Sequence, residues 1–332
     1  MINDILYNVF SNFKGKYMIV DRIITVPLDK KSAAKYAACA YEEYAKKRAA
    51  KVRCLGGGSF GIAYKVTSED GESIVVKFMR ADKMMQKEVF DLRLLRKSCP
   101  LDMPEVLFSR DKDDKIPVDC YGMTVMQGKP LLTCWGALLS GKKKRKDIGE
   151  RIVDALHEIH GVKNAKFGDT MNPDCDTWLE YYKPFAKQVL DKAVEFEKKG
   201  ELSKEIIDTM KTAWQKFDII FEEKVEEACL IHGDLNIMNI LKCGDKISFI
   251  DPLNSMYADR EYDLFQFDNL YGKRFFLSQI YRKKYGESRR CDDKLAFYGL
   301  WNEVFCVIKA GTLIPFIMNP LVKNMKKRLE TL

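Results

Sequence analysis

Apolar and polar positions alternate between residues 51 and 80. Ile62, Tyr64 and Val66 alternate with Ala63 and Lys65, which suits a strand. The whole stretch KVRCLGGGSFGIAYKVTSEDGESIVVKFMR reads strand, glycine turn, strand, polar turn, strand, with Glu69-Asp70-Gly71 as a turn signal. The period then changes. Met85, Val89, Leu92 and Leu95 fall near one face at helical spacing and predict a helix over 82–97. GMTVM at 122–126 predicts a strand, and Gln127-Gly128-Lys129-Pro130 a connector able to join two lobes. Beyond it, 147–160 and 176–228 are mainly helical in pattern, and short apolar runs at 229–231 and 247–250 flank a polar segment. Residues 261–330 read as mixed helices, with Pro315 and Pro320 breaking the last part. Ahead of the strands, 31–50 is rich in helix formers and belongs to an N-terminal extension over 1–50.

Four features of this layout carry chemistry. Gly56, Gly58 and Gly61 fit a G-x-G-x-x-G loop, with Ser59 at its tip. Glycine lets backbone come close to phosphates. A strand follows these glycines rather than a helix, which favours a flap between two strands over a dinucleotide-binding turn. Lys77 lies sixteen residues after Gly61 inside the apolar strand Ile74-Val75-Val76-Lys77-Phe78. A buried cation needs a partner, and Glu88 is the only glutamate between Glu72 and Glu105, on the predicted helix. The third feature is Ile231-His232-Gly233-Asp234-Leu235-Asn236-Ile237-Met238-Asn239-Ile240-Leu241. Asp234 there suits a group that orients a hydroxyl and accepts its proton, and Asn239 suits an oxygen ligand of Mg²⁺. Asp251 ends the apolar run Ile247-Ser248-Phe249-Ile250, seventeen residues after Asp234. It suits a second Mg²⁺ ligand bridging to nucleotide phosphates.

LGGGSFG, VVKF, IHGDLNIMNIL, FIDP and ADREYDL together resemble the aminoglycoside phosphotransferase and choline-kinase-like family, over roughly residues 52–270. The resemblance implies an α+β, bilobal, protein-kinase-like fold. A small β-rich N-lobe would span 51–127 and bind nucleotide. A larger, mainly helical C-lobe would span 128–332, with the catalytic loop and a helical acceptor-binding subdomain. It implies Asp234 as catalytic base, Asn239 and Asp251 as metal ligands, and Lys77 on the α- and β-phosphates with Glu88 orienting it. The connector near Met126 and Gly128 would present backbone groups to adenine. The cofactors implied are ATP and Mg²⁺; GTP stays open as an alternative because the connector reads the base through backbone. His232 would brace the loop, and Asp263 would steady the active-site region. Phe167-Gly168-Asp169-Thr170 loosely resembles a stretch of some members.

Protein kinases usually carry H-R-D and D-F-G where this chain has His232-Gly233-Asp234 and Asp251-Pro252-Leu253. Asp259 comes only eight residues after Asp251, and Asn236 stands where a lysine would follow Asp234. All three departures point away from peptide substrates, so the expected acceptor is a hydroxyl of a sugar, aminoglycoside, choline-like or similar small molecule. The competing readings are a nucleotide-binding pseudokinase scaffold and an atypical protein kinase.

The formal net charge of +8 is compatible with phosphate-bearing ligands. Lys142–Lys146 (KKKRK) reads as a solvated loop before a helix, since no aromatics interleave with it, so nucleic acid is not an expected partner. Ten cysteines are scattered with no C-x-x-C pair, which suits reduced packing residues in a cytoplasmic protein. Charges interrupt every apolar stretch, so neither a secretory leader nor a membrane span is expected. His157 and His160 read as ordinary helix residues. Trp301 reads as core and Glu303 as surface, with the acceptor pocket as the alternative for both.

Overall fold

The computed structural model describes residues 20–332; residues 1–19 of the expected extension lie outside them. Five strands, β1 (Ala49–Gly57), β2 (Gly61–Ser68), β3 (Ser73–Met79), β4 (Val106–Arg110) and β5 (Asp119–Thr124), form one antiparallel sheet in the order β1-β2-β3-β5-β4. Alternation decides its faces. Tyr64, Val66, Val76 and Phe78 pack against helix α1 (Lys30–Ala45) through Ala33, Ala37, Ala40 and Tyr41. That stripe has helical spacing, and its alanines let the helix approach closely. On the other face, Val75, Tyr121 and Met123 share a core with Met85, Val89, Leu92 and Leu95 of α2 (Met84–Ser98).

Two predicted boundaries move. The helix expected over 31–50 stops at Ala45, because Lys46 turns left-handed (φ 56°) and β1 begins at Ala49. Strand β5 begins at Asp119, ahead of the expected 122–126. Asp119 resembles a strand breaker in sequence, yet it is buried and its carboxylate accepts the Lys112 amide at 2.8 Å.

The C-terminal part is built on α3 (Lys142–His160), α4 (Trp178–Lys198), α5 (Lys204–Gln215), α6 (Leu277–Tyr285), α7 (Cys291–Ala310) and α8 (Pro315–Leu329). Helix α7 runs through the core. Its Trp301 stacks on Phe297 at 3.6 Å and donates its indole N–H to the Ala186 carbonyl of α4 at 2.8 Å. Trp178 and Tyr182 of α4 meet Tyr262 and Tyr298 in the same aromatic cluster. Each fully buried aromatic of this kind contributes roughly 3 kcal/mol of transfer free energy.

Two local expectations are corrected here. Lys142–Lys146 is not a loop but the first turn of α3, since lysine is a good helix former and Gly141 marks the start. Pro315 and Pro320 do not break the last helix. Pro315 sits in the first turn of α8, where its missing N–H costs nothing, and Pro320 lies on an exposed face.

Two small sheets join these parts. β6 (Lys129–Pro130), β10 (Ile240–Cys243) and β11 (Lys246–Phe249) run in the order β11-β10-β6. β7 (Lys163–Asn164), β8 (Gly168–Asp169), β9 (Ala228–Ile231) and β12 (Met256–Ala258) run in the order β7-β9-β12-β8. Ile231 pairs with Met256, so the loop leaving β9 and the loop entering β12 lie side by side. Among the described residues no disulfide forms, and Cys54, Cys243 and Cys306 are exposed. Among the described residues no helix is long and apolar enough to cross a membrane.

Candidate active site

After Ile231 the chain turns over a buried carboxylate. Asp263, fully buried, accepts the amide N–H of His232 at 2.8 Å and that of Gly233 at 2.7 Å. His160 Nε2 reaches the same carboxylate at 3.1 Å. A carboxylate only accepts, so Nε2 carries the proton and Nδ1 accepts from the Tyr281 hydroxyl at 2.6 Å. Burial lowers the His160 pKa against the opposing pull of Asp263. His160 is therefore a buried brace, not the ordinary helix residue expected, whereas His157 stacks on Tyr285 at 3.6 Å. Gly233 has φ +80°, and a Cβ there would stand 2.4 Å from the Asn254 carbonyl oxygen. The glycine is needed for the two loops to touch. His232 is buried too; burial holds its pKa down to about 4, and its carbonyl accepts from Ser255 Oγ at 2.9 Å.

Asp234 projects from this turn between two amides. Asn236 Nδ2 donates to Oδ1 at 3.0 Å. Asn239 Nδ2 donates to Oδ2 at 3.0 Å and to the Asp234 carbonyl at 2.8 Å. Burial pushes the Asp234 carboxyl up to about 7, against the lowering effect of both amides. The Asn239 carbonyl accepts the Ile250 amide at 3.0 Å, which sets Asp251 beside it. Asp251 itself is left-handed (φ 54°), a strained choice for a residue with a Cβ.

Strand β3 delivers Lys77 from the other lobe. Its ammonium lies 2.5 Å from Glu88 Oε1 and 3.0 Å from Asp251 Oδ1. The Tyr121 hydroxyl donates to the same Glu88 oxygen at 2.7 Å. Burial alone would lower the Lys77 pKa, but the Glu88 and Asp251 carboxylates outweigh it and raise it.

The glycine turn closes above. The Gly58 amide donates to the Gly61 carbonyl at 2.9 Å, and Arg80 donates to the carbonyls of Gly58 (3.1 Å) and Ser59 (2.6 Å). A Cβ at Gly61 would stand 3.1 Å from Lys77 Cε, so the flap lies directly over that lysine. Gly56 sits at the end of β1 leading into it. Met126 and Gly128 lie in the connector after β5; Gly128 has φ +115°, and a Cβ there would stand 2.6 Å from the Lys242 carbonyl oxygen.

The structure thus brings Lys77, Glu88, Asp251, Asn239 and Asp234 together through direct contacts and one backbone bond. Asn239 Oδ1 accepts no hydrogen bond among the described residues, and Asp251 has a second carboxylate oxygen besides the one on Lys77. Two hard oxygen donors that are left open in this way fit Mg²⁺, which is usually held by one or two side chains plus phosphates. No group of three His, Cys, Asp or Glu side chains among the described residues could cage a metal by itself.

Sequence reading missed Tyr121, Arg80 and a polar node next to Glu88. Lys87 Nζ bonds Asp91 (2.5 Å), Thr170 Oγ1 (2.9 Å) and the Ser255 carbonyl (2.8 Å), tying α2 to the C-lobe. Burial pushes the Asp91 carboxyl up to about 6, with Lys87 and Thr170 opposing. The lone signal was Thr170 in the loosely matching Phe167–Thr170 stretch. Glu303, expected at the surface, is partly buried, and burial pushes its carboxyl up to about 7.

The sequence profile of the phosphotransferase enzyme family matches residues 52–294. Among curated proteins no sequence match reaches significance. The fold is similar to that of a Thermobifida fusca protein described as a fructosamine-3-kinase, with a TM-score of 0.65 and 20% identity over 87% of this chain and 98% of that one. A Haemophilus somnus protein of the same description gives a TM-score of 0.66 and 14% identity over 89% and 97%. A thermostable mutant of the aminoglycoside phosphotransferase APH(4)-Ia, in complex with AMP-PNP and hygromycin B, gives 0.66 and 14% over 90% and 98%.

Proposed function

The chain belongs to the phosphotransferase enzyme family, and we propose that it moves the γ-phosphoryl group of ATP to a hydroxyl of a polyhydroxylated small molecule. It is a small-molecule phosphotransferase with a protein-kinase-like fold. The carrying observation is the linking of Lys77, Asp251, Asn239 and Asp234 through direct contacts and one backbone bond, beneath a glycine flap.

In this reading adenine lies against the backbone of residues 126–128, and Lys77 faces the α- and β-phosphates with Glu88 holding it. The acceptor oxygen attacks the γ-phosphorus. The new P–O bond forms as the bond to the β,γ-bridging oxygen breaks, and ADP leaves with that electron pair. Asp234 holds the acceptor hydroxyl in line and takes its proton; a carboxyl raised to about 7 suits that task near neutral pH. Asn239 and Asp251 would hold Mg²⁺, which when bound neutralises phosphate charge. Most of the rate then comes from positioning and electrostatics.

A small acceptor is supported by the link after Asp251, which enters β12 at Met256 and leaves no segment to dock a peptide. One structurally similar protein is described as a fructosamine-3-kinase and another in complex with the aminoglycoside hygromycin B, which supports an acceptor of that polyhydroxylated class. The test is an ADP-release screen over sugars, amino alcohols, nucleosides and antibiotics, run beside Asp234→Ala. Transfer is expected to vanish in the variant while Mg-ADP binding persists. Full activity in that variant rejects the assignment of Asp234.

A further inference from the structure

Helix α7 is buried on nearly every side. In its last two turns the accessible positions are Glu303, Cys306, Lys309 and Ala310, which share one face. The C-terminal end of that face meets the glycine flap, where Phe60 lies against Lys309.

Lys309 sits at the end of this strip, under the flap. Its ammonium is 5.4 Å from the ring centre of Phe60 and 4.7 Å from that of Phe305. Among the described residues no carboxylate pairs with it. Phe60 adjoins Gly61, which lies over Lys77. The flap tip is therefore flanked by two ammonium groups, one from each lobe.

Their situations differ. Lys77 is already engaged by Glu88 and Asp251. Among the described residues Lys309 meets aromatic faces alone, worth about 0.5–1 kcal/mol, and its N–H donors stay available there. A partly buried cation without an anion is unfavourable unless a ligand supplies one. The catalytic loop cannot supply the complementary cation, since residues 232–241 contain no lysine or arginine. A phosphoryl group held before Asp234 would thus face a carboxylate with no loop cation to balance it.

We propose that Lys309 is a further catalytic residue, contacting the γ-phosphoryl group from the C-lobe side beneath the flap. This rests on the phosphotransferase reading above. Charge accumulating on the transferring group would be met by a cation fixed on the most buried helix of the lobe.

The test compares Mg-ADP with Mg-AMP-PNP, which differ by the γ-phosphoryl group, by calorimetry on the parent chain, Lys309→Gln and Lys309→Arg. Lys309→Gln is expected to bind Mg-ADP unchanged and Mg-AMP-PNP about tenfold more weakly, as loss of a charge-assisted hydrogen bond implies. Lys309→Arg should recover most of that loss. Equal weakening of both nucleotides, or of neither, overturns the proposal. If Lys309→Gln fails to fold, Lys309→Met carries the same comparison. A parent chain that binds neither nucleotide overturns the phosphotransferase reading, and this proposal with it.

Discussion

Lys77 and Asp251 meet at 3.0 Å across 174 residues of chain. The contact ties a strand of the small lobe to a strained loop of the large one, and the same ammonium holds buried Glu88 at 2.5 Å. Removing one member of a buried pair costs about 3–5 kcal/mol, because the other charge stays behind. Lys77→Met is therefore expected to lose about 3 kcal/mol in urea denaturation. Adding Glu88→Gln should recover most of that stability and none of the phosphotransfer. Independent, additive losses in this cycle would mean that the two side chains are not coupled.

Lys87 binds the C-lobe from the residue next to Glu88. Its role is to set α2, and through α2 the carboxylate that holds Lys77. Lys87→Met leaves Asp91 buried without its cation. It should lower stability by about 2–3 kcal/mol and slow turnover roughly tenfold or more through misplacement of Glu88. Turnover equal to the parent's in a destabilised variant would show that the node serves stability alone.

Gly233→Ala tests the contact between the two active-site loops. The added Cβ meets backbone at 2.4 Å and the residue must keep φ +80°. The loops must part, so the variant is expected to lose at least about 2 kcal/mol and most of its activity. Asp263→Asn should behave similarly, since one of its three buried donors would face an NH₂ group. Melting temperature and ADP release read both.

Glu303 makes a pH prediction with a definite sign. Burial alone raises its carboxyl from 4.5 to about 7. Between those values the folded chain holds a proton that the unfolded chain releases, so stability falls as pH rises through the window. The penalty is absent below about 4.5 and complete above about 7. Glu303→Gln should therefore match the parent at pH 4 and exceed it by about 2 kcal/mol at pH 8.5, after discounting for partial exposure. A difference independent of pH would contradict the assignment.

Local pattern alone determined the β-hairpin flap, the helix bearing Glu88 and the polar loop carrying Asp234 and Asn239. Period and turn chemistry depend on near neighbours, and those are written in order along the chain. Glu88 could be picked for Lys77 because no other glutamate stood nearby in sequence. Tertiary structure alone decided that His160 would brace Asp263, that Tyr121 would share Glu88, and that Lys309 would rest against Phe60. Periodicity tells which face of an element is covered but not what covers it. That is settled only when segments more than a hundred residues apart, such as 160 with 263 and 60 with 309, compete for the same buried volume and their polar groups must find partners there.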